Sequence, residues 1–166
     1  KGSNTISPAD LELYRTGEKG INWIELLTRT GITQNYNIGA TGGSDKIRYM
    51  VSGNVLDQQA VTIKSKYMRY GLRANIEADV KPWLTLITKF NGSILHQKNG
   101  APNWFHVLNY SPTMELKDLN SGIYNKDPYN ILSNNPYGVV KETDSDSYSY
   151  NLNANMRLLF RIAKGL

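Results

Sequence analysis

Three features of the sequence predict an all-β chain folded as an antiparallel, up-and-down sheet. Polarity alternates with a period of two along five segments, tight turns alternate with longer connections, and helix signals are confined to the first 33 residues. The 166 residues, 40% of them apolar and 10% aromatic, are enough for one ordinary domain and exclude wholesale disorder. The net charge of +5 is spread along strand faces and forms no basic block, so a nucleic-acid partner is not expected. There is no cysteine and only two histidines, His96 and His106, which exclude a disulfide framework and a thiolate zinc site and leave no metal site or cofactor to be expected. Lys1 is no initiator methionine, and the chain stops at Lys164-Gly165-Leu166 directly after a patterned segment, so a piece of a longer protein is expected.

Residues 1 to 33 read as two short helices. Ser7-Pro8-Ala9-Asp10 supplies a hydroxyl cap, a proline at the first helical position and an acid in the first turn, and the pattern stops at Gly17. Asn22-Trp23-Ile24-Glu25 is an asparagine version of the capping box, expected to open a helix that closes at Gly31. The period then changes to two. Tyr36, Ile38 and Ala40 alternate with Asn35, Asn37 and Gly39, and Gly42-Gly43-Ser44-Asp45 makes a tight turn.

A second strand, 47 to 56, puts Ile47, Tyr49, Val51 and Val55 on one face. The third, 68 to 80, sets Met68, Tyr70, Leu72, Ala74, Ile76, Ala78 and Val80 against Arg69, Gly71, Arg73, Asn75, Glu77 and Asp79 without exception. Lys81-Pro82-Trp83 turns the chain because proline cannot donate to a ladder. A fourth strand, 84 to 94, opposes Leu84, Leu86, Phe90 and Ile94 to Thr85, Lys89, Asn91 and Ser93. Residues 97 to 147 then lose all periodicity and carry four of the six prolines, which predicts a long loop. Alternation returns in 148 to 163, with Tyr148 through Ile162 opposed to Asn151, Asn153, Arg157 and Arg161.

Period-two strands suit a soluble sandwich as well as a barrel wall. Three observations favour the wall. The strands exceed the ~5 to 6 residues of ordinary sheets and approach the ~9 to 11 that cross a bilayer. Aromatic residues gather near strand ends, at Tyr36, Tyr67, Trp83, Tyr148, Tyr150 and Phe160, as in an interfacial girdle. Short turns (42 to 46, 81 to 83) alternate with longer connections (57 to 66, 97 to 147), the loop asymmetry of outer-membrane barrels. Arg48, Arg69, Arg73, Glu77, Lys89, Arg157 and Arg161 are then expected to line a wet lumen, since Arg or Lys facing lipid at the midplane costs about 2 to 4 kcal/mol. Five strands cannot close a barrel, so the segment is expected to be an arc of a larger wall.

At this point the sequence resembles a family. Asn22-Trp23-Ile24-Glu25, Arg29-Thr30-Gly31, Thr33-Gln34-Asn35-Tyr36-Asn37, Gly42-Gly43-Ser44-Asp45-Lys46, Tyr49, Leu56-Asp57-Gln58, Arg69-Tyr70, Arg73-Ala74-Asn75 and Trp83-Leu84 are similar to the early barrel of SusC/RagA-type TonB-linked outer-membrane transporters of Bacteroidetes. Asn135-Pro136 and the stretch from Leu152 to Leu166 fit the same likeness. The resemblance implies a 22-stranded barrel whose plug and TonB-contacting segment are not in this sequence, with residues 1 to 33 in an extracellular loop and the strands here as the second to sixth. It also implies outer-membrane lipid around the wall, TonB and a SusD-like surface lipoprotein as partners, and import of oligosaccharide or oligopeptide without covalent chemistry. The chain is therefore not expected to be an enzyme. It departs from the family at Asp57-Gln58-Gln59-Ala60-Val61, where Asp-Gln-Glu-Gly is frequent.

Within the long loop, Trp104, Phe105, Tyr110, Tyr124 and Tyr129 offer ring faces to substrate or lid, set against the plainer reading that they pack the loop on itself. The arginines of the lining select acidic cargo or meet the plug, or else pair with Glu77 and Asp79. Asp118, Asp127, Glu142, Asp144 and Asp146 match no calcium loop spacing and read as solvated surface. Trp23 is expected to anchor the second helix on the barrel rim. The competing assignment is a soluble β-sandwich that binds carbohydrate or serves as an adhesin; a porin without TonB coupling is a third.

Overall fold

A computed structural model describes residues 8–17, 20–118, 120–126 and 134–162, which fall into two compact units. The first is one antiparallel sheet of five strands in the order β1-β2-β3-β4-β5. These are β1 (Ile32–Gly43), β2 (Ile47–Gln59), β3 (Lys66–Lys81), β4 (Leu84–Lys98) and β5 (Asp146–Phe160). Each strand pairs with its neighbour in sequence, as an up-and-down chain must when its turns are short.

The register turns the one-dimensional alternation into two chemically distinct faces. Tyr36 lies opposite Val55 and Val55 opposite Tyr70; Ile38, Gly53 and Leu72 form the next row, and Ala40, Val51 and Ala74 the one after. The other face pairs Arg48 with Glu77, Ser52 with Arg73 and Leu56 with Arg69. At the first tight turn the Ser44 N–H donates to the Ile47 carbonyl at 2.6 Å. Gly43 is required there, because an added Cβ would run into that same carbonyl.

Nothing in the described residues covers the apolar face. Leu72 is 50% exposed, Leu152 70%, Met156 71% and Ile38 80%. A soluble sandwich needs a second sheet packed about 10 Å away to bury such a row. The described residues form one sheet, so the sandwich alternative is set aside. β1 and β5 have one strand neighbour each, leaving two long ladder edges of the kind that barrels abolish by closure.

The second unit gathers residues up to Gly31, the six-residue connection Ala60–Ser65 and the stretch Lys98–Ser145. It holds α1 (Pro8–Thr16), α2 (Trp23–Leu27), α3 (Trp104–Asn109) and α4 (Pro136–Glu142). α1 ends at Gly17, whose φ of 66° is the left-handed stop that only glycine takes without strain. The Asn22 side chain accepts the Glu25 N–H at 3.2 Å, so the expected N-cap forms, and the Glu25 carboxylate returns to the Asn22 side-chain amide at 3.4 Å in place of the backbone N–H of a full capping box. α2 stops at Leu27, earlier than the expected Gly31, because Thr28 pairs with Thr62 in an isolated bridge.

The long loop expected from the loss of periodicity contains α3 and α4, which the alternation could not reveal. Both are opened by asparagine: Asn103 accepts the Phe105 N–H at 3.1 Å, and Asn135 accepts those of Tyr137 and Gly138 at 3.1 and 3.0 Å. Trp23, Leu27, Val107, Tyr110 and Val140 close a small core in this unit. The connection after β2 is tied into it. Lys64, at φ 61°, donates from Nζ to the Lys141 and Thr143 carbonyls at 3.0 and 2.7 Å, satisfying acceptors at the end of α4. The Arg29 guanidinium holds the Ala60 and Ser65 carbonyls at 3.1 and 2.9 Å.

Candidate functional site

The polar face of the sheet brings the predicted lining residues together, and it is not uniform. At the short-turn end, Arg48 Nη2 lies 2.8 Å from Glu77 Oε1, directly across the β2–β3 ladder. Arg161 Nη2 lies 3.8 Å from Asp79 Oδ1, and the same guanidinium donates to the Pro82 carbonyl at 3.3 Å. The Asp79 carboxylate also accepts the Thr85 hydroxyl. Both acids of β3 are thus engaged by cations of the same face.

The remaining described cations of the face make no such pair, although Lys89 borders one depression with Arg48 and Glu77. Among the described residues, no carboxylate lies within ion-pair distance of Arg69, Arg73, Lys89 or Arg157. Arg73 borders two adjoining depressions of about 530 and 460 Å³. The first has Arg69, Asn37, Ser52 and Asn54 in its wall, and the second has Asn75, Lys89, Asn153 and Asn155. Gly39 and Gly71 contribute backbone only, which opens the floor of the first. Such a surface can hold a negative charge on guanidinium groups and hydroxyl groups on carboxamides, which both donate and accept.

The apolar face carries aromatic pairs at both ends. Trp83 stacks on Phe160 with centroids 6.1 Å apart, and His96 stacks on Tyr148 at 4.3 Å while its ring nitrogen meets the Asp146 carboxylate. Tyr148 and Phe160 bracket β5. At ~3.3 Å per residue and a tilt near 40°, the twelve steps between them span about 30 Å along a barrel axis, close to an apolar band of ~25 Å with its girdles.

The loop aromatics divide by burial. Tyr110 is 3% exposed, edge-on to Trp23 at 5.0 Å, and its hydroxyl donates to the Asn125 carbonyl, so it has no ring face free for a ligand. Tyr124 packs edge-on to Tyr137 at 6.0 Å, and the Lys117 ammonium sits 4.5 Å over its ring. Phe105, 71% exposed, and the partly exposed Trp104 stand on α3 and keep free ring surface. Tyr129 and Asp127 lie outside the described residues.

Trp23, expected at the barrel rim, finds its partners in the long loop instead. Its indole N–H donates to the Ser111 carbonyl at 3.0 Å. Asp118 has a local role: its carboxylate accepts the Ser121 and Asn120 N–H groups at 2.6 and 2.9 Å and the Ser121 hydroxyl at 2.9 Å. These bonds, led by those from Ser121, hold its carboxyl below the usual carboxylate range. Among the described residues no group of three or more metal-ligating side chains converges.

The architecture is shared with known proteins. Over 98% of its length the chain is 27% identical to the TonB-dependent receptor P3 of Formosa agariphila, of which it spans 17%. The solved structure of the RagAB peptide importer in its closed-closed state matches with a TM-score of 0.70 at 22% identity, over 89% of this chain and 18% of that one. A structure of the RagAB peptide transporter matches over the same shares at 0.63 and 22% identity. No family model matches the chain. The five-stranded sheet has the fold of part of those importer structures. The likeness to SusC/RagA-type transporters over essentially the whole chain, and the all-β up-and-down class, are borne out. The chain spans under a fifth of the length of each of these relatives, 17% and 18%.

Proposed function

We propose that this chain is an arc of an outer-membrane barrel through which oligomeric nutrients are imported by a TonB-dependent, SusCD-like complex. One observation carries the reading: a single sheet with an uncovered apolar face and a charged, asparagine-rich opposite face. Lipid hydrocarbon outside and an aqueous passage inside satisfy both faces at once, and closure by further strands satisfies both ladder edges. Similarity to a TonB-dependent receptor and to the RagAB importer supports the same assignment.

The partners follow from this reading: TonB, reached through segments outside this sequence, and a SusD-like surface lipoprotein. Oligosaccharide is the first cargo, because the polar face is rich in carboxamides that match sugar hydroxyl groups in donor and acceptor count. Oligopeptide is the second, favoured by the fold's likeness to the RagAB peptide importer. Exposed ring faces on α3 support Trp104 and Phe105 as the loop residues that meet cargo or lid. Transport leaves the cargo covalently unchanged.

The test is uptake by the native bacterium of fluorescently tagged oligosaccharide and oligopeptide pools. Deletion of the gene that contains this segment is expected to abolish accumulation of one pool, as is collapse of the proton gradient. Undiminished uptake of both pools in the deletion strain would overturn the proposal.

A further inference from the structure

We infer that the middle of the polar face is an anion-accepting track centred on Arg69 and Arg73, and that the oligosaccharide it admits is acidic, carrying carboxylates along its length. The inference rests on the import reading above, in which this face lines the passage. The first ground is the segregation of charge. Glu77 and Asp79, the acids of β3 on this face, are matched at the short-turn end by Arg48 and Arg161. Arg69, Arg73, Lys89 and Arg157 have no carboxylate within ion-pair distance among the described residues. Lys89 shares a depression with Arg48 and Glu77, so the segregation is carried by Arg69 and Arg73, which stand farther along β3 from both acids.

Spacing is the second ground. Arg69 and Arg73 are four residues apart on β3 and point to the same face, so their Cα atoms are separated by about 13 Å. An extended oligomer can bridge that distance and a single small anion cannot. Between the two guanidinium groups the wall is made of short polar groups, Asn37, Ser52, Asn54 and Asn91, over the bare backbone of Gly39 and Gly71. The adjoining depression continues the same chemistry through Asn75, Lys89 and Asn153. Guanidinium pairs with carboxylate in a two-point, charge-assisted geometry, while carboxamides take the neighbouring hydroxyls, so one wall can read both features of a uronate chain. A wall that carries an excess of one sign of charge also draws counter-charged solutes in from outside.

The experiment uses the complete receptor purified in detergent and two probes of equal length, a galacturonate hexamer and the same hexamer methyl-esterified at its carboxylates. The native receptor is expected to bind the acid at least about tenfold more tightly than the ester, a preference that shrinks as salt is raised. The double variant R69Q/R73Q is expected to bring the acid to the level of the ester with ester binding unchanged, and Arg48→Gln, at the paired end, to leave the preference in place. Equal binding of both probes, binding of neither, or an intact preference in R69Q/R73Q overturns the inference. So does a double variant that keeps the preference yet makes cells permeable to large antibiotics, which would assign the two arginines to another part of the receptor. The deletion strain separates this failure from failure of the import reading: loss of neutral oligosaccharide uptake with no acid preference sinks only the anion track.

Discussion

Trp23 shows how far a single side chain is fixed by partners distant in sequence. Its indole is buried edge-on against Tyr110 and donates to the Ser111 carbonyl. Trp23→Ala removes a large ring from a core of five buried residues, and large-to-small changes of this kind cost about 3 to 5 kcal/mol. The variant in the full receptor is expected to expose residues 98–145 to protease while the strands stay protected; equal protease sensitivity of the strands would refute this division. Asp118 gives a prediction in pH. Its folded-state value is depressed, so its contribution is fully present above the ordinary unfolded value near ~4 and is lost as the pH falls through the lower folded value. Pepsin cleavage near Ser121, taken as a ratio to an Asp118→Asn variant, should lie below the variant's level at the upper end of the range and rise to it only at the acid end. A constant ratio across the range would contradict the assignment. Sequence reasoning placed Arg48 and Glu77 on one face because alternation alone does so. It could not separate Tyr110 from Phe105, since both sit in aperiodic sequence and only tertiary contacts decide which is buried.

Among the elements, the strands were legible and the loop helices were not. Thirteen alternating positions from Met68 to Val80 leave one solution for β3, and the observed register aligns them with Val51, Val55 and Tyr36 without a slip. α3 and α4 have six and seven residues, too few for a helical repeat to show. They persist because Asn103 and Asn135 cap them and the Trp23 core holds them. Pro136 behind Asn135 is a cap followed by a first-position proline, and that pair of residues was the available signal. β5 supplies the prediction at this scale. Leu152→Arg places a cation on the apolar face and is expected to cost about 2 to 4 kcal/mol in a bilayer, whereas Asn153→Arg, one residue on, is expected to be tolerated. Denaturant titration of the receptor refolded into lipid vesicles measures both, and equal losses would contradict the two-faced strand.

For the whole molecule, the decisive property is what the sheet lacks among the described residues: a second layer over its apolar face and a partner for either ladder edge. Fold class was readable because strand period, strand length and loop asymmetry are local. The extent of the proposed barrel and the identity of the proposed cargo were not, because on that reading both depend on strands and loops beyond these 166 residues. These 166 residues hold no cysteine, so with any thiols elsewhere in the receptor replaced, single ones can be introduced and labelled one at a time. The most direct measurement is nitroxide accessibility in the complete receptor in lipid vesicles, with labels at Leu72→Cys, Arg73→Cys, Leu152→Cys and Asn153→Cys. Oxygen, which concentrates in hydrocarbon, is expected to relax the labels at 72 and 152, and a water-soluble nickel chelate those at 73 and 153. Access of the nickel chelate to 72 and 152 equal to its access to 73 and 153 would contradict the account.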